Sequence, residues 1–405
     1  MKTLKTMSSD LKWKTSFPKN NFYYLIIIIM LVTMTESCSE EGKVFTGLRW
    51  EELPPMPPLA GREVQPGLAG PLAGISNHCL LVAGGANFEG EMPWRGGAKS
   101  YHDEIYLLQE NEKGELEWKI AEERLPCPMA YAAMLSIEEG ILSIGGETAE
   151  GPVKDVILLT VDQGRVMIRN YPSLPLAITS PSATQVDGEV YLAGGQNASG
   201  AVDLFLTLDL HDMQKGWQIL PSLPVPLSHG VAVAQSDGNE TCIYFLGGRN
   251  KTTDVHSFFS EIYKYIPSTA VWTREGHILK DGKPLPLSAG TGIAAGVNQI
   301  LLMGGDPGIY FNQTERLNNA IAEAGDFLRD SLLRVKDFLL SNHPGFNREV
   351  MAYHTTQKKW TVIGNSPEGL PATTAAFFWN DLVVIPGGEV RPGVRTPRIT
   401  AFRLQ

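Results

Sequence analysis

Two stretches of the chain gather side chains able to move a proton or hold an anion. The first is Gly387-Gly388-Glu389-Val390-Arg391-Pro392-Gly393-Val394-Arg395-Thr396, where one carboxylate and two guanidiniums fall within seven residues. Such a set suits acid/base work on an anionic substrate. The carboxyl group shuttles a proton, and a guanidinium grips a substrate carboxylate through paired hydrogen bonds. The second stretch holds Ala86-Asn87-Phe88, Trp94, Lys99, Tyr101 and His102. Lys99 and Arg391 are further candidates for holding an anion, Asn87 for hydrogen bonds to polar groups of a ligand, and the aromatic residues for an apolar face. A structural reading stands beside each. Glu389 with Arg391 or Arg395 also suits a salt bridge that holds its loop, and the aromatic residues also suit core packing.

Other chemistries find less support. GxSxG, the phosphate-binding GxxxxGK pattern and HExxH are all missing, and eight histidines lie scattered without metal-ligand spacing, so no metal site is expected. Lys and Arg number 34 against 44 Asp and Glu, a net charge of −10, which argues against nucleic acid as a partner.

The elements that must position these residues repeat. A β-type apolar run followed by Gly-Gly occurs six times, ending at Gly84-Gly85, Gly145-Gly146, Gly194-Gly195, Gly247-Gly248, Gly304-Gly305 and Gly387-Gly388. Most copies follow a hairpin turn such as Asp187-Gly188 or Asn380-Asp381. A second strand-like run comes after each pair, and Trp118, Trp217, Trp272 and Trp360 mark a further strand. The pattern matches kelch repeats, so the expected fold is all-β: a six-bladed kelch-type β-propeller over residues 39–405. The glycine pair serves crowded backbone at the inner end of each blade, on the loop leaving the inner strand, and Trp wedges neighbouring blades apart. The last repeat lacks its Trp strand, and the segment around Trp50 near the start is expected to supply it and close the ring.

One repeat is longer. Between about residues 306 and 347, Leu317, Ile321, Leu328, Leu332, Val335 and Leu339 recur at helical offsets. This predicts a helical insertion in the fifth blade, one helix or two joined near Gly325, starting near Thr314. It serves either as a lid over the central site or as added packing.

Residues 1–38 read as an export segment. Lys2, Lys5, Lys12, Lys14 and Lys19 precede an apolar run from Phe22 to Met34, near the length of a secretory h-region and short of the ~20 residues needed to span a bilayer. Cys38 just beyond it resembles a bacterial lipoprotein processing site, and ordinary signal cleavage is the alternative. The expected location is the periplasm or the outer membrane, anchored through lipid on Cys38. Cys79, Cys127 and Cys242 then form no disulfide framework and read as buried thiols.

Sialidases share the six-bladed plan, but their SxDxGxTW boxes are absent. A copper-radical oxidase on this scaffold needs Tyr, Cys and two His together, which spacing leaves open. The segment Gly388-Glu389 to Thr396 resembles the active-site loop of the N-acetylneuraminate epimerase (sialic acid mutarotase) family. Leu72 to Asn77, Ala83 to Phe88, Lys99-Ser100-Tyr101, Ile144 to Ala149, and Phe311-Asn312 with Leu317 to Gly325 resemble the same family. The blades that open this chain stand near the C-terminus in the enterobacterial-type members, so it looks like a circularly permuted branch. The resemblance implies Glu389 as catalytic acid/base and Arg395 as substrate-binding partner, with sialic acid or a related sugar acid as substrate and no cofactor. The rival expectations are a non-catalytic propeller binding glycan or protein at a cell surface, and a mutarotase for a different sugar acid.

Overall fold

Each apolar run before a glycine pair forms a buried strand, because its β-branched and aliphatic residues pack on both faces between neighbouring blades. The computed structural model describes residues 43–59 and 61–405; the expected export segment and Cys38 lie outside them. Among the described residues there are six four-stranded antiparallel sheets. Blade I runs Leu72–Ser76, Cys79–Ala83, Ile105–Glu110 and Leu116–Ile120 from the axis outward, and blades II to V repeat this order.

Blade VI has the order Leu48–Glu52, Ile399–Leu404, Leu382–Pro386, Phe377–Trp379. The first of these is the outermost strand and pairs with the last strand of the chain, Trp50 opposite Phe402 and Leu48 opposite Leu404. The expected closure is thus present, and the rings of Trp50 and Phe402 meet edge to face at 5.3 Å.

Apolar contacts and the indoles join the blades. Leu142 and Ile144 of blade II share one cluster with Val190, Leu192 and Leu206 of blade III, and each buried aliphatic side chain contributes about 1.5–3 kcal/mol. The indole N–H of Trp118 donates to Pro54 O, Trp217 to Pro172 O and Trp272 to Pro221 O, each in the linker before its blade, and Trp360 to His277 O at the end of blade IV's outer strand. The glycine pairs sit one strand further out than expected. They lie at the end of the second strand, because the hairpin before them places the first strand against the axis.

The insertion is two helices, α1 (Ile309–Glu323) and α2 (Asp326–Ser341), joined at Ala324-Gly325. It begins five residues before Thr314, at Ile309, because the backbone N–H of Gly308 donates to Asp306 Oδ1 and turns the chain there. The apolar stripe is only half covered: Leu317, Ile321, Leu332 and Leu339 are partly buried, whereas Leu328 and Val335 are 55% and 53% exposed. The helices lie on loops rather than on a flat core. Of the thiols, Cys79 and Cys242 are buried, but Cys127 is partly exposed.

Candidate active site

Where each linker enters an innermost strand, one residue adopts left-handed backbone. These are Gly70 (φ 59°), Tyr131 (60°), Ser180 (53°), His229 (56°), Ala289 (59°) and Thr373 (53°). Their backbones form a closed ring of hydrogen bonds. Tyr131 N–H donates to Gly70 O, Ser180 to Tyr131, His229 to Ser180, Ala289 to His229, Thr373 to Ala289 and Gly70 to Thr373, at 2.7–3.2 Å. Left-handed backbone costs a non-glycine residue about 1–2 kcal/mol, and the ring satisfies six amides that would otherwise be unpaired. All six residues border an axial cavity of about 530 Å³.

Beside this ring lies a second set of six positions, the residues that follow the glycine pairs: Ala86, Glu147, Gln196, Arg249, Asp306 and Glu389. Backbone bridges tie five of them to the residues just before the ring, as in Ala130 with Glu147, Ser228 with Arg249, and Ala372 with Glu389. Asp306 pairs with Ser288 in the same way. In five blades this position opens a two-stranded ribbon, and in blade V the helical insertion replaces it. Each repeat therefore places one residue next to the backbone ring.

The ribbon Glu389–Arg391 with Val394–Arg395 explains the spacing in the first stretch, since it sets Glu389 directly opposite Arg395. Arg395 Nη1 donates to Glu389 Oε1 at 2.8 Å, and the backbone N–H of Gly393 donates to the same oxygen at 2.7 Å. Oε2 has no hydrogen-bond partner among the described residues. Arg395 is held on its other sides, with Nε donating to Ala86 O at 3.4 Å and its guanidinium 4.7 Å from the centre of the Phe88 ring. Its side chain is 5% exposed, against 18% for Glu389. The salt bridge foreseen on the structural reading exists, and it orients the carboxylate with one oxygen open.

Lys99 and Tyr101 reach the neighbouring blade. Lys99 Nζ lies 3.0 Å from Glu147 Oε1, the Tyr101 hydroxyl donates to that oxygen at 2.6 Å, and Lys99 also sits over the ring of Tyr131. Burial, and then the neighbouring Glu147, push the Tyr101 phenol up. Burial likewise raises Tyr131 to about 12, opposed by the pull of the Arg395 guanidinium beside it. Tyr131 is therefore a neutral hydroxyl donor at physiological pH, next to the Glu389–Arg395 pair.

The other expected site residues are placed differently. Asn87 is 2% exposed; its amide donates to Gly67 O, and its Oδ1 meets His102 Nε2 at 2.9 Å. It braces the ribbon and offers nothing to a substrate hydroxyl in this conformation. Arg391 is exposed and reaches the carbonyl of Ser341 at the end of α2. The indole N–H of Trp94 donates to Asp337 of α2, which Arg95 also grips. On the far side, Glu315 of α1 accepts from His256. The insertion is thus strapped between the ribbons of blades IV and I.

Glu147, Arg249, Tyr131 and His229 escaped the reading of individual motifs. For two of them the signal was present in the repeats: Glu147 and Arg249 occupy the same offset from a glycine pair as Glu389. Among the described residues, no group of three His, Cys, Asp or Glu side chains is arranged to hold a metal ion.

A family model described as N-acetylneuraminate epimerase matches residues 34–168 and 171–405. The chain is 38% identical over 236 residues to an N-acetylneuraminate epimerase of Haemophilus influenzae (strain PittEE), which covers 56% of this chain and 58% of that one. It is 37% identical over 131 residues to one from Brucella melitensis, covering 30% and 32%. It is 24% identical over 241 residues to one from Vibrio vulnificus, covering 58% and 59%. The chain thus spans between about a third and three fifths of the length of these curated relatives. The solved structure described as "Structure of YjhT" shares the fold, with a TM-score of 0.58 at 13% identity over 87% of this chain and 99% of that chain. The family match runs through every blade described above and includes the Glu389–Arg395 ribbon, and on it the chain belongs to the N-acetylneuraminate epimerase family.

Proposed function

We propose that the protein is an isomerase that interconverts the α and β anomers of N-acetylneuraminate by acid/base ring opening and reclosure, without a cofactor. The observation that carries this reading is the Glu389 carboxylate, held through Oε1 by Arg395 and Gly393 with Oε2 left open. In the reaction Oε2 takes the proton from the anomeric hydroxyl. The same carboxyl group delivers a proton to the ring oxygen, which hangs on the same carbon and is within its reach. The ring bond breaks to give the open-chain ketone. Reclosure on the opposite face returns each proton, so nothing is consumed. A positioned general acid/base contributes typically 10²–10⁴-fold. The family and its named relatives support the substrate.

The test follows the anomers directly. Freshly released α-N-acetylneuraminate is expected to reach equilibrium faster with the protein than in buffer, watched by proton NMR. Equilibration at the buffer rate would reject the reaction and favour a glycan-binding propeller.

The same reading places the protein outside the cytoplasm, in the periplasm or on the outer membrane, anchored by lipid on Cys38. The support is the basic stretch, apolar run and cysteine at the start of the chain. Cys38→Ser is expected to move the protein from the membrane fraction to the soluble one. An unchanged fractionation would rule the lipid anchor out.

A further inference from the structure

Arg249 follows the glycine pair of blade IV, at the offset that Glu389 holds in blade VI. Its Nη2 lies 3.1 Å from His229 Nε2. Burial, and then the positive charge of Arg249, hold His229 well below its usual range. The imidazole is therefore neutral; its Nε2 accepts from the guanidinium, and Nδ1 meets Ser228 Oγ at 3.0 Å. The guanidinium lies 4.8 Å from the ring centre of Phe311 on α1 and 5.9 Å from that of Phe258. Its Nε is buried with no hydrogen-bond partner. No Asp or Glu forms an ion pair with Arg249 among the described residues, although Asp306 and Glu389 act on it from farther off.

A partly buried guanidinium with a buried, unpartnered Nε and no ion pair is costly to keep. The other cations of the site are engaged. Arg395 is bound to Glu389 and Ala86 and lies against Phe88. Lys99 is paired with Glu147. Arg391 is turned out to α2.

We infer that Arg249, rather than Arg395, receives the carboxylate of the substrate, with His229 and Phe311 fixing the plane of its guanidinium. This rests on the sugar-acid reading above. In such a sugar the carboxylate is attached to the anomeric carbon itself, so its receptor must face the base across a short gap. Arg249 and Glu389 stand two repeats apart on one six-membered rim and act on each other electrostatically. Arg395 is then a positioning residue for Glu389.

The test measures binding of N-acetylneuraminate and of its neutral C1 carboxamide by titration calorimetry. Wild type is expected to bind the acid about 10- to 100-fold more tightly than the amide, the worth of a charge-assisted hydrogen bond. Arg249→Gln is expected to erase that preference, Arg249→Lys to retain part of it, and Arg395→Lys to keep it. A preference that survives in Arg249→Gln, or a wild type that shows none, overturns the assignment. Should Arg249→Gln fail to fold by circular dichroism, Arg249→Lys decides, and an undiminished preference there counts against Arg249. The anomer assay on the same wild-type sample is scored separately. Absent acceleration with an intact, Arg249-dependent acid preference rejects the reaction and leaves the receptor standing.

Discussion

Glu389→Gln is expected to slow anomer equilibration by about 10²–10⁴-fold, the usual worth of a positioned acid/base, with the fold retained. The amide keeps the shape and one carbonyl oxygen for Gly393 N–H and Arg395, but it cannot take a proton at neutral pH. The structure also sets a stability cost. Arg395 is 5% exposed, so replacing the carboxylate by an amide leaves its guanidinium with a neutral oxygen, Ala86 O and the Phe88 face, and no counter-charge at hydrogen-bond distance. That is expected to cost roughly 1–3 kcal/mol, readable as a lower thermal midpoint. Substrate binding should change far less than turnover, because the proposed grip on the carboxylate lies at Arg249. Turnover within a few-fold of wild type would move the base elsewhere, with Glu147 the first alternative on the same rim. A loss that tracks unfolding would be resolved with Glu389→Asp, which keeps the charge on Arg395 but withdraws the reactive oxygen by one methylene.

Much of this architecture is readable from residues, because its requirements are local. Gly-Gly pairs are needed where the backbone turns left-handed twice in succession, as at Gly247 and Gly248 (φ 62° and 99°). Trp is needed where an indole must span two blades, and a leftover Trp segment therefore had to belong to the blade that lacked one. Glu389 and Arg395 were legible as a pair because one short hairpin joins them. Arg249, Glu147, Tyr131 and His229 were not, because only the closed ring brings residues from blades I, II, IV and VI to one rim. The offset after each glycine pair marks the rim positions, and no local pattern marks the left-handed ring residues, which include Tyr, Ser, His, Ala and Thr. Helical periodicity in the insertion predicted that an apolar face exists. It could not tell which part is covered, since Phe311, Glu315 and Asp337 fix the helices through contacts to distant ribbons.

Gly247→Ala is expected to be among the most damaging single-methyl changes available. A Cβ there would stand well inside van der Waals contact of the Leu287 carbonyl oxygen, on backbone whose φ of 62° already disfavours a side chain. That oxygen cannot simply retreat. It accepts the Gly248 N–H at 2.8 Å, and Leu287 itself donates to Phe259 O while its side chain is 3% exposed in the core. Relieving the clash breaks the stitch between blades IV and V and shifts Ala289, two residues on, which is a member of the backbone ring. We expect a loss of roughly 3–5 kcal/mol, at the upper end for single substitutions and a large share of a typical 5–15 kcal/mol total. Gly114→Ala is the control: its φ is 77°, but nothing lies within 4 Å of the added methyl. There only the backbone term remains, about 1–2 kcal/mol. Denaturant unfolding of the two variants, followed by tryptophan fluorescence, separates conformation from collision. Equal shifts would mean that the glycine pairs are selected for φ alone, and that the carbonyl stitch between blades is not what holds the rim in register.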